Sequence, residues 1–174
     1  MAKNFFSIQG TREFRNLEGL VRDLISGTVE EIKETTDAHA DILSKSIRKS
    51  YESQSLPGGG FPSSYNLSED YRIKKIKEGL DPRIGIKHAK MINAIKSVRR
   101  SGSRWFVGVS KGVGAHKKGS LKIAQYTRIL EFGSHNQKAR PVFVPNFRAW
   151  VPKYKIAAIN RVKKRIKNVL RRYV

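Results

Sequence analysis

The chain has 174 residues and no cysteine, which suits one domain with a true hydrophobic core and excludes disulfides, cysteine-ligated zinc and cysteine nucleophiles. Its formal net charge is +22, but residues 1–70 carry 8 Lys and Arg against 11 Asp and Glu, whereas residues 71–174 carry 28 against 3. A half that basic needs anionic surroundings, which nucleic acid, an acidic protein surface or the acidic part of a neighbouring copy could supply. The sequence contains neither a run long enough to span a membrane nor the apolar region of a signal peptide. We therefore expect a protein that is made in the cytoplasm and does not associate with membranes.

Residues 1–51 are predicted to form a short tail followed by a long amphipathic helical arm. After residues 1–10, with Thr11 as a plausible cap, apolar side chains recur at steps of mostly three, four and seven residues up to Ile47. The polar face is acidic first and basic later, in the order that the helix dipole favours. Such a helix either packs on the core at one end and on a neighbouring chain at the other, or is simply a long kinked helix.

Residues 52–68 interrupt the helical pattern and are predicted to form a flexible loop. They contain Pro57 followed by three glycines, and then Phe61 and Pro62. A phosphate-binding loop needs a helix start and usually a Lys–Ser/Thr pair after its glycines, so we reject that interpretation. A mobile insertion at a partner surface is the use we favour.

Residues 69–174 are predicted to form a basic core of the α+β class. Helical and strand-like periodicities alternate along this part of the chain, separated by glycine and proline. Three helices are predicted first: one that ends near Gly79, one over residues 87–100, and one over residues 121–132 with Gly133 as the stop. Strands are predicted over residues 104–109 and 140–144, with a basic glycine loop over residues 112–119. A closing helix runs from about residue 146 or 153 to Tyr173. The whole is then a long N-terminal helix, a small central antiparallel or mixed sheet with helices packed on it, and a basic C-terminal helix.

The most aromatic stretch of the chain, residues 126–150, contains Glu131, which is the only carboxylate after Asp81. No nucleophile and no second carboxylate accompany it, so we predict a salt bridge from Glu131 to Arg128 or Arg140 rather than acid–base catalysis. The four histidines are far apart and lack the spacing of metal ligands. We therefore expect no enzyme activity, no metal and no cofactor.

The closing helix carries nine Lys and Arg between residues 153 and 172 and no acid. Such a face is often only solvated, but this density favours contact with a polyanion or an acidic partner. Signatures of sequence-specific DNA or RNA recognition are absent from the sequence. The candidate contacts to DNA or a partner are Lys117, Lys118, Lys163, Lys164, Arg165, Lys167, Arg171 and Arg172.

Residues 126–147 resemble a family of tailed-phage proteins, the small head–tail joining or tail-completion (minor tail) proteins of long-tailed phages. The family pattern is an aromatic-led segment that ends in Glu-aromatic-Gly, a short polar loop, Ala-Arg-Pro-aromatic and a further proline before a closing helix. The residues that carry the resemblance are Tyr126, Glu131, Phe132, Gly133, Ala139, Arg140, Pro141, Phe143 and Pro145.

The resemblance implies a structural virion protein of the phage neck. Such a protein would form a homo-oligomeric ring, with six copies expected, between the connector and the tail tube, and DNA would pass through its lumen. Its partners would be other neck, connector and tail-tube proteins, with transient DNA contact. The alternative that the charge supports is a basic, non-sequence-specific nucleic-acid-binding protein; a nuclease is the weakest interpretation, because acidic metal ligands are scarce.

Overall fold

The computed structural model describes residues 12–83, 90–101, 104–110, 122–135 and 137–173. Helices dominate the chain, and two small antiparallel sheets complete it. The elements are α1 (Arg12–Ser53), β1 (Ser55–Leu56), β2 (Gly59–Gly60), a 3-10 turn (Ser63–Tyr65), α2 (Glu69–Lys77), α3 (Lys90–Ala94), β3 (Ile95–Ser101), β4 (Arg104–Val109), α4 (Ile123–Phe132) and α5 (Phe143–Tyr173). The predicted α+β class, with long first and last helices, is confirmed.

Helices α1 and α5 form an antiparallel pair. The 31 residues of α5 correspond to roughly 46 Å at the α-helical rise of about 1.5 Å per residue. Cross-helix contacts follow one another in antiparallel order along this length. They join Tyr173 to Asp23, Arg161 to Glu34, Tyr154 to Thr36, Trp150 to His39, and Asn146 to Ser46 and Ser50.

The hydrophobic core lies at one end of this pair. Its α1 contribution comes only from the second half of the helix, at Leu43, Ile47 and Tyr51. The remaining core side chains come from the shorter elements and the start of α5; they are Met91, Ile92, Ile95, Val109, Ile123, Leu130 and Val142. The other end of the pair consists of α1 residues 16–33 and α5 residues 156–173. Among the side chains that the structure describes, none from this end belongs to this core, and we call this end the helical arm.

Strands β3 and β4 form the larger sheet, in a register that runs from Ile95 opposite Val109 to Ser101 opposite Arg104. Trp105 on β4 fastens the sheet to α1 by donating its Nε1–H to Asp37 Oδ1 at 2.6 Å. The predicted strand over residues 104–109 is confirmed. The helix predicted up to residue 100 is wrong, because α3 ends at Ala94 and the next residues pair with β4 instead. Apolar residues at intervals of three suggested a helix there, but cross-strand pairing outweighs that local pattern.

The segment over residues 52–68, predicted as a flexible loop, contains a short hairpin and a 3-10 turn. Leu56 pairs with Gly59 in a two-residue hairpin, and Gly58 adopts φ 99° at its turn. Tyr65 is buried and donates its hydroxyl to Pro141 O at 2.8 Å. The segment therefore lies against the start of α5, while its flexibility stays a prediction.

The structure also bears on the predicted ends of the other helices and on the last predicted strand. The helix before Gly79 is α2, and the helix that Gly133 ends is α4. The strand predicted over residues 140–144 is wrong, because α5 already begins at Phe143. The tail over residues 1–10, the Thr11 cap and the glycine loop over residues 112–119 lie outside the described residues. In the described ranges, no helix combines the length and the apolarity that a bilayer span requires.

Candidate assembly surface

Glu131, near the end of α4, caps the start of α5. The side chain is 7% exposed, and its carboxylate accepts three backbone N–H groups. Oε2 accepts from Val142 at 2.8 Å and Phe143 at 3.0 Å, and Oε1 accepts from Val144 at 2.8 Å. A carboxylate at this position also lies at the positive end of the helix dipole. We call this arrangement the capping junction.

The capping junction accounts for every backbone donor that the start of α5 leaves unpaired. A helix normally has four N–H groups without intrahelical partners at its N-terminus. Three of them bind Glu131, and the fourth position is Pro145, which has no N–H. The regular ladder then begins, with Asn146 N donating to Val142 O at 3.3 Å. The glutamate and the second proline of the family pattern thus solve one hydrogen-bonding problem together.

The loop between α4 and α5 depends on Gly133. This residue ends α4 with φ 78° and ψ −179°, a conformation that residues with a Cβ avoid. A Cβ there would meet Ala139 N and Gln137 O at 3.0 Å. The chain then returns to α4, where Arg140 N donates to Leu130 O at 2.6 Å. The short polar loop therefore directs residues 142–144 onto the glutamate.

The predicted salt bridge from Glu131 to Arg128 or Arg140 is wrong. In the described part of the chain, neither arginine forms an ion pair with this carboxylate, whose oxygens are occupied by amides. Arg140 instead donates from Nη2 to Asn66 O at 3.4 Å, in the segment that covers the junction. Sequence reasoning identified the residue but missed its partner, because a predicted strand over residues 140–144 left no helix start to cap.

Beside the capping junction lies an apolar cleft that β4 and the first turns of α5 form with α1 on one side and α4 on the other. It consists of two adjoining cavities of about 390 and 410 Å³ that share Val107, Phe143 and Val144 as lining residues. Phe132 lines one cavity and is 71% exposed, while Phe147 lines the other and is 51% exposed. Exposed aromatics around an apolar cleft are typical of a surface that another molecule covers. Tyr126 of the motif lies inward and is half-buried against the core, and this burial raises its pKa.

The helical arm exposes apolar side chains on the outer face of α1. On the inner face, Gly19 and Gly27 lie against α5, where they leave room for Tyr173 and Arg165. Residues two positions away from these glycines lie roughly 200° round the helix and so face away from α5. They form the outer apolar row, which consists of Leu17 (54% exposed), Val21 (47%), Ile25 (63%) and Val29 (62%).

Like α1, helix α5 has an inner face, which packs on the other long helix, and an outer face, which is exposed. Arg161 pairs with Glu34 on α1 at 3.4 Å, and Val169 is fully buried. Arg165, predicted as a possible contact to DNA or a partner, is half-buried over Gly27, and its role as a contact stays a prediction. The outer face carries exposed cations, which we call the outer cationic row; they are Lys163, Lys164, Lys167 and Arg171. Arg172 is exposed at the helix end, whereas Lys117 and Lys118 lie outside the described residues.

The acidic side chains of α1 are partly neutralised within the chain itself. Arg161 lies 3.9 Å from Glu31 as well as near Glu34, and Arg99 on β3 lies 3.5 Å from Asp37. These acids therefore meet cations of their own chain, and whether they also meet a neighbouring copy stays a prediction. Across the described ranges, no three His, Asp or Glu side chains are grouped closely enough to hold a metal ion.

The chain matches no family model, no curated protein and no solved structure. The resemblance to phage head–tail joining proteins therefore rests on the sequence of residues 126–147 alone.

Proposed function

We propose that this protein is a structural component of the neck of a long-tailed phage, where copies of it form a ring that joins the connector to the tail and lets DNA pass. In this proposal the protein has no catalytic role, and its site is a set of assembly surfaces. Its place in the assembled particle is the virion neck, among connector and tail-tube proteins.

The observation that carries the proposal is the outer apolar row on α1. Four aliphatic side chains, each about half exposed or more, stand in line on a helix that already has a partner on its other side. A monomer in water gains nothing from such a row, because each of these side chains would be stabilised by burial. Contact between the row of one copy and a different surface of the next is heterologous, and heterologous contacts close into rings when the rotation fits.

The capping junction is a second and separate argument for the proposal. The motif residues that carry the family resemblance meet in one structural unit, in which Glu131, Gly133 and Pro145 each have a separate physical task. That unit sets the direction of α5 and hence the position of the helical arm relative to the core. A family in which the arm makes the assembly contact would need such a junction.

The proposal is tested by the assembly state of the purified protein, measured by light scattering and negative-stain electron microscopy with and without phage neck proteins. Ile25→Asp places a charge in the outer apolar row and is expected to abolish ring formation while the far-ultraviolet circular dichroism stays unchanged. Ser26→Asp is the matched control, because Ser26 is an exposed neighbour outside the row. A protein that stays monomeric under all these conditions yet binds duplex DNA tightly would refute the ring and favour the nucleic-acid-binding alternative.

A further inference from the structure

The outer face of α5 carries a charge that the described chain leaves unbalanced. Lys163 and Lys167 follow Arg161 and Arg165 by two residues, so they lie roughly 200° round the helix from the α1 contact. Arg171 stands in the same relation to the buried Val169, and Lys164, the fourth member, lies at the edge of the row. In the part of the chain that the structure describes, none of the four outer cations lies within ion-pair distance of a carboxylate.

Two sets of basic side chains on one helix therefore have different tasks. The inner set, Arg161 and Arg165, is directed at α1, where Arg161 meets Glu31 and Glu34. The outer set is exposed and available to a partner outside the chain. The sequence alone counts both sets as one basic helix, and only the packing against α1 separates them.

We propose that the outer cationic row binds the phosphate backbone of double-stranded DNA without sequence specificity. Successive members Lys163, Lys167 and Arg171 are separated by one helical turn plus a fraction, a rise of about 6 Å each. Because a duplex carries a phosphate about every 3.4 Å along each strand, each cation meets its own phosphate. Lys and Arg supply donors for phosphate oxygens on flexible stems, which suits a backbone that is read only by its charge.

Duplex DNA fits the row better than single strands or an acidic protein surface do. The row contains no aromatic side chain on which an unpaired base could stack. A duplex presents phosphates at regular intervals along its length, whereas an acidic protein surface need not match the spacing of about 6 Å between these cations. Within the proposed ring, one such row from each copy would face the lumen, and this location rests on the proposed function. The binding surface itself does not depend on it.

The experiment measures binding of the full chain to a fluorescein-labelled 30-base-pair duplex of mixed sequence, by anisotropy, over a range of salt concentrations. The quadruple variant K163Q/K164Q/K167Q/R171Q is compared with K49Q/K74Q/K77Q/K96Q, which removes the same charge from other exposed positions. We expect wild type to bind, and the α5 variant to weaken binding at least about tenfold. It should also reduce the slope of log K against log salt by roughly 3 to 4, since each phosphate contact contributes about 0.9. The control variant should change both quantities far less.

Light scattering on the same samples separates this inference from the ring. An α5 variant that still assembles but no longer binds DNA supports both proposals. A monomeric wild type that binds DNA through the row supports the inference and refutes the ring. Absence of duplex binding by wild type at low salt, equal losses in the two quadruple variants, or clear preference for single strands would each overturn the inference.

Discussion

Removal of the Glu131 carboxylate is the sharpest test of the capping junction. Glu131→Ala leaves three amides at the start of α5 without an acceptor, and two of them belong to the buried Val142 and the half-buried Phe143. Hydrogen bonds to a charged group contribute about 1.5–3 kcal/mol each, and water can recover part of the loss at the more exposed Val144. We expect the free energy of unfolding to fall by about 3–5 kcal/mol, which is a large part of the 5–15 kcal/mol typical of a domain.

Glu131→Gln refines the same test, because it keeps the shape and one carbonyl oxygen. The new NH₂ group would face an amide donor, so at least one of the three hydrogen bonds is replaced by a repulsive contact. We expect this variant to lower the free energy of unfolding by about 1.5–3 kcal/mol, which is less than the loss in the alanine variant. Urea denaturation followed by circular dichroism gives all three free energies. Glu34→Gln serves as the control, since its exposed pair with Arg161 should contribute less than about 1 kcal/mol.

A loss below about 1 kcal/mol for Glu131→Ala would refute the capping account, because one ordinary surface cap already reaches that value. Equal stability of the Gln variant and wild type would show that the negative charge does not contribute. Either result would also remove the argument that the proposed function takes from the capping junction.

Three further substitutions test neighbouring features by the same denaturation assay. Gly133→Ala should cost about 3 kcal/mol, because it combines a positive φ with a Cβ at 3.0 Å from two backbone atoms, and proteolysis in the loop should rise with it. Asn146→Ala should cost about 2–3 kcal/mol, since the buried amide joins α5 to two serines of α1, and reduced thermal stability without loss of helix content would confirm it. Tyr51→Phe should be neutral or stabilising at pH 7, because in the described chain the buried Tyr51 hydroxyl has no hydrogen-bond partner. Burial, and to a smaller extent the charge of Glu131, raises the pKa of Tyr51 in the folded chain. The unfolded chain therefore releases the Tyr51 hydroxyl proton at a lower pH than the folded chain does. Wild type should therefore lose stability relative to the Phe variant as the pH rises through about 10, and a constant difference between pH 8 and 11 would contradict this reasoning.

The long helices were predictable because their patterns repeat over many turns. The stripe that ends near Ile47 predicts α1, and the stripe of the last helix predicts α5 up to Tyr173. Gly133 marks the end of α4 in both the sequence and the structure, since only its backbone freedom allows the reversal that follows. In these places the local sequence pattern was sufficient to predict the secondary structure.

Two elements could not be read from local pattern, because their partners are distant in sequence. Ile95 and Val98 have helical spacing after Ile92, yet their segment pairs with β4. Residues 142–144 are β-branched or aromatic and favour a strand, yet the carboxylate of Glu131 makes them the first turn of a helix. The separation of the α5 cations into inner and outer sets likewise requires knowledge of where α1 lies.

The origin of the cap on α5 has a consequence for how the fold forms. A helix usually carries its own capping side chain next to its first turn, so its start can form before the rest of the chain is in place. Helix α5 instead takes its cap from Glu131, which is in position only after α4 has folded and the loop at Gly133 has turned back. The start of α5 and the end of α4 should therefore open and close together as one cooperative unit, so that the amides of Val142 and Phe143 exchange with solvent only when both helices are released. The arm inherits its direction from that unit, and a ring built on such arms would assemble only from copies whose junction is already closed.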